Sequence, residues 1–364
     1  MESQLLAPSS RILGFDIARA LAIFGMVIVN FKIAMQAQTG ADFWLGFAQL
    51  FEGRASALFV ILAGIGISLM TKKVQLEPQK PQIRKAQVQL LKRALVLFII
   101  GLTFTPIWPA DILHFYGVFF AIAAPLCFAS DRTLLLSTFG FVLGFVGLLF
   151  LFNYDQGWDW PTLTYTDLWT WQGMARHLMF NGFHPVFPWT AFLLFGMWLG
   201  RQPLSQLHTQ KRLFITALCC LLIIEGSLAL LHYFSSTYWL WPKELTNLLF
   251  TTSIIPPLPQ YMLSAASSSV LILVGCLWLS QRYQQSHIMQ SLHKTGQLSL
   301  TLYIGHVLIG MGLLESFNLL NNQHIEVALF SAIVYCLCAI AFSMIWLHYF
   351  KHGPCEWLFK KLTR

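Results

Sequence analysis

The chain has too little charge to be a water-soluble globule: Asp, Glu, Lys and Arg make up only 10% of its 364 residues. Ordinary soluble domains carry about 25%, and without that charge a water-facing surface cannot be covered. No segment is long and polar enough to form a second, soluble domain. Cys-x-x-Cys is absent, and the seven cysteines (127, 219, 220, 276, 336, 338 and 355) fall in apolar runs or on the side assigned below to the cytoplasm. Disulfides and a structural zinc site are therefore not expected. The 11 histidines are scattered, which gives metal ligation little support. The first apolar run is long, contains Asp16 and Arg19 and lacks a small-residue cleavage pattern, so it is not expected to be a cleavable signal.

What the chain does have is apolar length. Hydrophobic residues make up 56% of it, and its mean hydropathy is +0.62. Runs close to the roughly 20 residues that cross a hydrocarbon core recur near 12–34, 55–71, 89–108, 110–129, 133–153, 186–200, 213–235, 259–280, 297–316 and 326–349. This pattern predicts an all-α, polytopic transmembrane bundle of about ten helices, forming one membrane domain over residues 1–364. The run at 186–200 is short, and Pro106 and Pro109 crowd the turn between the third and fourth runs. Either place could hold a re-entrant element, which a membrane tolerates only where protein or water satisfies the backbone.

Charge placement orients the bundle. With both termini cytoplasmic, the inner side holds Arg11, Lys72, Lys73, Lys80, Arg84, Lys85, Lys92, Arg93, Arg132, Arg201, Lys211, Arg212, Arg282, Lys294, Lys351, Lys360, Lys361 and Arg364. Only Lys32, Arg54, Arg176 and Lys243 fall outside, and Arg19 lies within the first span. The opposite orientation would violate the positive-inside rule. The same distribution accounts for the net charge of +8 and makes nucleic acid an unexpected partner, since the basic-stripe criterion applies to soluble domains.

Ionisable groups inside spans are costly and by default mark sites or paired networks. Asp16 and Arg19 are three residues apart, so they share a helix face near the inner surface. They form either an orienting ion pair or an anion-binding pair, because a guanidinium matches phosphate well. Toward the outer face lie Asn30, Glu52, Arg54, Asp111, His114 and His184. Asp111 and His114 share a face, so the carboxylate could orient the imidazole and raise its basicity. Glu225, His232 and His306 lie in later spans as relay groups or as interhelical glue. The outer loop at 154–188 carries Trp158, Trp160, Tyr165, Trp169 and Trp171, an interfacial belt or a stacking surface for a flat ligand such as a sugar.

The run Arg11-Ile-Leu-Gly-Phe-Asp16-Ile-Ala-Arg19 through Asn30 resembles the opening span of the bacterial DUF418, or YeiB-like, membrane proteins. These also carry a heparan-alpha-glucosaminide N-acetyltransferase-like part. The resemblance continues through Glu52-Gly-Arg54-Ala-Ser-Ala-Leu-Phe, Asp111-Ile-Leu-His114-Phe-Tyr-Gly and His184-Pro-Val-Phe-Pro-Trp. It ends with Leu-Tyr-Ile-Gly-His306 and Gly353-Pro-Cys-Glu356-Trp. On this likeness residues 1–200 are the acyltransferase-like part and 201–364 the DUF418-like part, in a bacterial cytoplasmic (inner) membrane.

The resemblance implies a transmembrane acyltransferase that takes an acyl group, in the first instance acetyl, from cytoplasmic acyl-CoA. The acceptor would be an extracytoplasmic glycan, lipid or small molecule. Lysosomal relatives use a histidine in the first lumenal loop, whereas residues 35–53 here contain none. The expected base or acyl carrier is then His114, oriented by Asp111. Asn30, Glu52, Arg54, His184 and His306 are expected at the acceptor, and Arg19 with Asp16 at acyl-CoA (acetyl-CoA), with no metal. Membrane lipids are the other expected partners, and a homodimer is left open. The competing reading is a proton-coupled transporter using the same polar groups, although no inverted repeat of the kind many transporters show is visible.

Overall fold

The computed structural model describes residues 12–239 and 241–363. Arg11 and Arg364, two of the basic residues assigned to the inner side, lie outside the described residues. In chain order the first helices are α1 (Leu13–Ala34), α2 (Asp42–Gln49), α3 (Arg54–Leu76), α4 (Lys80–Phe104), α5 (Leu113–Leu126) and α6 (Asp131–Leu151). A small hairpin, Trp158–Asp159 with Thr164–Tyr165, is the only sheet among the described residues. It is followed by α7 (Trp171–Arg176), a π-helical turn (His177–Asn181), α8 (Val186–Arg201) and α9 (Leu207–Thr237). The chain closes with α10 (Lys243–Leu249), α11 (Pro259–Arg282), α12 (His287–Gln297), α13 (Ser299–Gly305), a second π turn (His306–Met311), α14 (Gly312–Ser316), α15 (Ile325–Tyr349) and α16 (Pro354–Leu362).

This is an all-α polytopic bundle, as the hydropathy pattern predicts. Among the described residues, eight helical stretches are long and apolar enough to cross a membrane: α1, α2 with α3, α4, α6, α9, α11, the α13–α14 segment and α15. The other two expected spans are α5 and α8, with 14 and 16 residues. At 1.5 Å per residue these cover only about 21 and 24 Å of a hydrocarbon core of about 30 Å. Irregular backbone makes up the rest, and the prolines explain it. A proline has no N–H to continue a helix, and Pro106 and Pro109 stop α4 so that the chain dips inward before α5 begins. Ala110, Asp111 and Ile112 in this dip are buried in protein, the condition under which non-helical backbone survives at such depth.

Burial separates the helices into a core and a ring. Eleven of the sixteen α8 residues are buried, including Trp189, as expected for a helix that is apolar all round. In α9 only Gln210, Ala217 and Ser235 are buried, which places it on the periphery. Polar contacts gather at the two ends. At the end assigned to the outside, Lys32 pairs with Glu52 and Arg54 with Glu225, each at 2.6 Å. At the other end Arg201 pairs with Asp131 at 2.8 Å and donates to the Cys127 carbonyl. There Glu356 accepts the N–H groups of Leu300 and Thr301, a carboxylate on a helix N-terminus that would otherwise leave those donors orphaned.

Candidate functional site

The site is built where the chain dips between α4 and α5. Asp111 caps α5: its Oδ2 accepts the Leu113 N–H at 2.8 Å and the His114 N–H at 3.3 Å, the work of a helix-capping carboxylate. The Ile112 N–H, also freed by the irregular backbone, donates to the Tyr303 hydroxyl at 3.1 Å, and that hydroxyl donates to Asp111 Oδ1 at 3.1 Å. Gly101 lets α4 pass against this turn. A Cβ there would sit 2.0 Å from the His114 backbone nitrogen, so no larger residue fits.

With its carboxylate held in this way, Asp111 orients His114. His114 Nδ1 lies 3.1 Å from Asp111 Oδ2, and both side chains are buried. An Nδ1–H directed at a carboxylate leaves Nε2 as the basic atom. Nε2 is buried and has no hydrogen-bond partner among the described residues.

Two further imidazoles surround it. His177 lies parallel to His114 with ring centroids 5.7 Å apart, and Phe115 packs against His114, His177 and His184. His177 and His184 each keep a buried Nδ1 without a partner among the described residues. Burial, followed by the neighbouring His114, holds His177 well below the ordinary histidine value. The same causes push His184 down to about 3. Both rings are therefore neutral near pH 7, able to accept or donate hydrogen bonds without charge.

His177 reaches this place because the outer loop folds back on itself. Arg176 donates to both Asp167 carboxylate oxygens at 2.6 and 2.7 Å and to the Tyr165 hydroxyl at 2.7 Å. Tyr165 donates on to Asn181 Oδ1 at 2.8 Å, while Asn181 Nδ2 donates to the carbonyls of Tyr154 and Gln156. Trp158 stacks on Trp160 with centroids 4.6 Å apart. Between this loop and the α4–α5 dip is a cavity of about 170 Å³ lined in part by Thr105, Pro106, Pro109, Trp158, Tyr165 and His177. It leads from the loop to the imidazole stacked on His114.

The remaining outer residues fall into separate groups. Asn30 Nδ2 meets His306 Nε2 at 2.8 Å, and His306 Nδ1 contacts the Tyr303 carbonyl. One turn of helix therefore joins the Asn30 pair to the Asp111–Tyr303 bond. Glu52 is held by Lys32, and Arg54 by Glu225, which also accepts from Ser264 at 2.6 Å. Neither ion pair includes His114. His232 contacts Asn247, so it and Glu225 serve different contacts.

At the inner end Arg19 Nη1 lies 2.5 Å from Asp16 Oδ1, and His293 Nδ1 lies 3.2 Å from Asp16 Oδ2. Gln297 in turn contacts His293 at 2.8 Å. Gly296 permits this by close approach: a Cβ there would fall 1.8 Å from the Asp16 carbonyl oxygen. Arg19 extends toward α3, its Nη2 3.8 Å from where a Cβ on Gly66 would lie.

Residues 11–237 match the family described as heparan-alpha-glucosaminide N-acetyltransferase, catalytic. The chain belongs to that family. Residues 199–364 match the family described as protein of unknown function DUF418. No curated protein matches the chain. The N-acetyltransferase-family stretch supplies Asp16, Arg19, Asn30, Asp111, His114, His177 and His184. The DUF418 stretch supplies their partners: Tyr303 to Asp111, His306 to Asn30 and His293 to Asp16. The two matched regions thus build one set of contacts.

Three of these residues escape sequence reasoning. His177 is brought in by the loop clasp, and the only local signal is its place among the tryptophans. His293 lies on a polar surface helix that reads as a linker, and Tyr303 reads as one more apolar residue of its span.

Proposed function

We propose that the protein is a transmembrane acyltransferase that moves an acyl group, in the first instance acetyl, from cytoplasmic acyl-CoA to a hydroxyl or amine on an extracytoplasmic glycan, lipid or small molecule. Family membership supports acetyltransferase-type activity across a membrane. One observation carries the assignment of roles: Asp111 fixes His114 through Nδ1, and His114 Nε2 is left buried without a partner among the described residues.

In this reading the acceptor enters from the outer loop past His177. Its oxygen or nitrogen lone pair attacks the acyl carbonyl as Nε2 takes its proton. The carbon–sulfur bond breaks, and the CoA thiolate leaves and takes the proton held on Nε2, which restores the neutral imidazole. If Nε2 instead attacks first, the acyl group rests on His114 as an acyl-imidazole before the acceptor displaces it. Asp111 stabilises the imidazolium or holds the ring in either case. His184 and the Asn30–His306 pair line the acceptor side, with Glu52 and Arg54 holding the helix ends around it. Arg19, positioned by Asp16, meets a CoA phosphate from the inner side. The host membrane in this reading is a bacterial inner membrane.

The test uses purified protein reconstituted in vesicles with labelled acetyl-CoA. Thiol release that depends on protein and increases with an added acceptor supports transfer. Uptake of a solute driven by a proton gradient, without thiol release, would establish the transporter reading instead.

A further inference from the structure

We propose that the start of α4 is a binding site for an anionic phospholipid, with the headgroup phosphate in a basic groove and an acyl chain along the same helix face. The groove encloses about 790 Å³ and is lined by Lys80, Arg84, Lys85, Val88, Gln89 and Lys92, with Pro81 and, from the end of α16, Thr363. Among its lining residues Lys80, Arg84 and Lys85 are exposed cations. Lys80, Arg84, Val88 and Lys92 recur every four residues, so they lie along one side of the helix.

The same face continues as an apolar stripe. Val88, Leu91, Leu95 and Ile99 are 44%, 46%, 60% and 53% exposed, and their spacing of three and four residues keeps them in line with the groove. A phosphate site that runs without a break into an exposed aliphatic track matches a phospholipid. Depth agrees: α16 is a short amphipathic helix with Trp357, Leu358 and Leu362 exposed and Lys361 over the Trp357 ring at 5.2 Å. Such helices lie in the interface, where tryptophan is enriched, and α16 ends at the groove. The inference is independent of the acyltransferase reading.

The experiment titrates the full-length protein, purified in neutral detergent, with phosphatidylglycerol, phosphatidylcholine, glycerol phosphate or CoA, and follows binding by native mass spectrometry. Phosphatidylglycerol is expected to bind at least tenfold more tightly than phosphatidylcholine or glycerol phosphate. A surface cation is worth about fivefold against an anionic lipid, so K80Q/R84Q/K85Q should weaken phosphatidylglycerol on the order of 100-fold and leave phosphatidylcholine unchanged. The charge-matched control K211Q/R212Q/R282Q, on exposed residues elsewhere at the inner end, should change it by less than about threefold. If the triple variant does not fold, the single variants R84Q and K85Q give the reading, at about fivefold each. Equal losses in the groove and control variants, no preference for phosphatidylglycerol, or its displacement by CoA with CoA binding lost in the groove variant would each overturn the proposal.

Discussion

The two ends of the bundle arrange their polar groups differently. At the inner end Arg19, Asp16, His293 and Gln297 form a chain in which each group meets the next. At the outer end Asp111 is fully engaged, but His114, His177 and His184 each keep a buried ring nitrogen without a partner among the described residues. Leaving a polar group buried and unpaired costs about 1–3 kcal/mol, so three such nitrogens around Phe115 are an expense that packing alone does not explain. A chain of ion pairs holds position, whereas the ring nitrogens around Phe115 have hydrogen-bonding capacity to offer a ligand. In the proposed function the inner end serves structure and anion recognition, and the outer end chemistry.

Activity and stability should therefore separate along the bundle. The largest effect is expected at the inner end, where Arg19→Ala leaves the Asp16 carboxylate short of its guanidinium. Breaking a buried pair costs about 3–5 kcal/mol, and the 24% exposure of the Arg19 side chain puts the loss at about 3 kcal/mol or below. Thermal unfolding in detergent checks this. Asp16→Asn added to Arg19→Ala should recover part of the loss, because no charge is then left alone. A stable, fully active Arg19→Ala protein would break the comparison.

Asp111→Asn should have a smaller effect on stability than Arg19→Ala while slowing acyl transfer, since it keeps the cap geometry but removes the charge behind His114. A drop of about ten- to a hundredfold in turnover, with little change in unfolding temperature, fits an orienting role. It is below the 10²–10⁴ that a positioned base supplies.

The buried imidazoles set a pH dependence. Folded His177 and His184 take up protons less readily than the unfolded chain, whose histidines titrate near 6.5. Their contribution to stability is fully present above about pH 6.5 and is lost as the pH falls toward the folded value, about 3 for His184. Within that window each unit of pH costs about 1.4 kcal/mol per histidine. Unfolding temperature should fall between pH 7 and pH 5, and His184→Gln should flatten the slope. The smallest effect belongs to the loop clasp: Asp167 is partly exposed, so Asp167→Ala should cost about 1 kcal/mol or less. It should nevertheless raise the acceptor KM, because Arg176 and Tyr165 then hold the His177 segment less firmly.

Local spacing was enough to pair Asp111 with His114 and Asp16 with Arg19, since three residues bring side chains to one helix face. It was enough to expect ten apolar helices, and Pro106 and Pro109 marked the dip that makes α5 short. Contacts across the bundle were not legible. Asn30 and His306 both stood out as polar groups in spans, yet their bond joins residues 276 apart. The run before Glu225 is wholly apolar, and its partner Arg54 is 171 residues away. His177 required the whole clasp of Asp167, Tyr165 and Asn181 before it could be placed beside His114. Sequence periodicity describes one helix at a time, and these pairings depend on which helices pack together.

The most direct test of the division between the ends is His114→Gln, which keeps hydrogen bonding and similar bulk but removes the base near neutral pH. Purified wild-type and variant proteins would be compared for acetyl-CoA binding, unfolding temperature and acyl transfer in one preparation. The account predicts that binding and unfolding temperature stay close to wild type while transfer falls by 10²-fold or more. Full transfer by His114→Gln would contradict it and remove His114 from the chemistry.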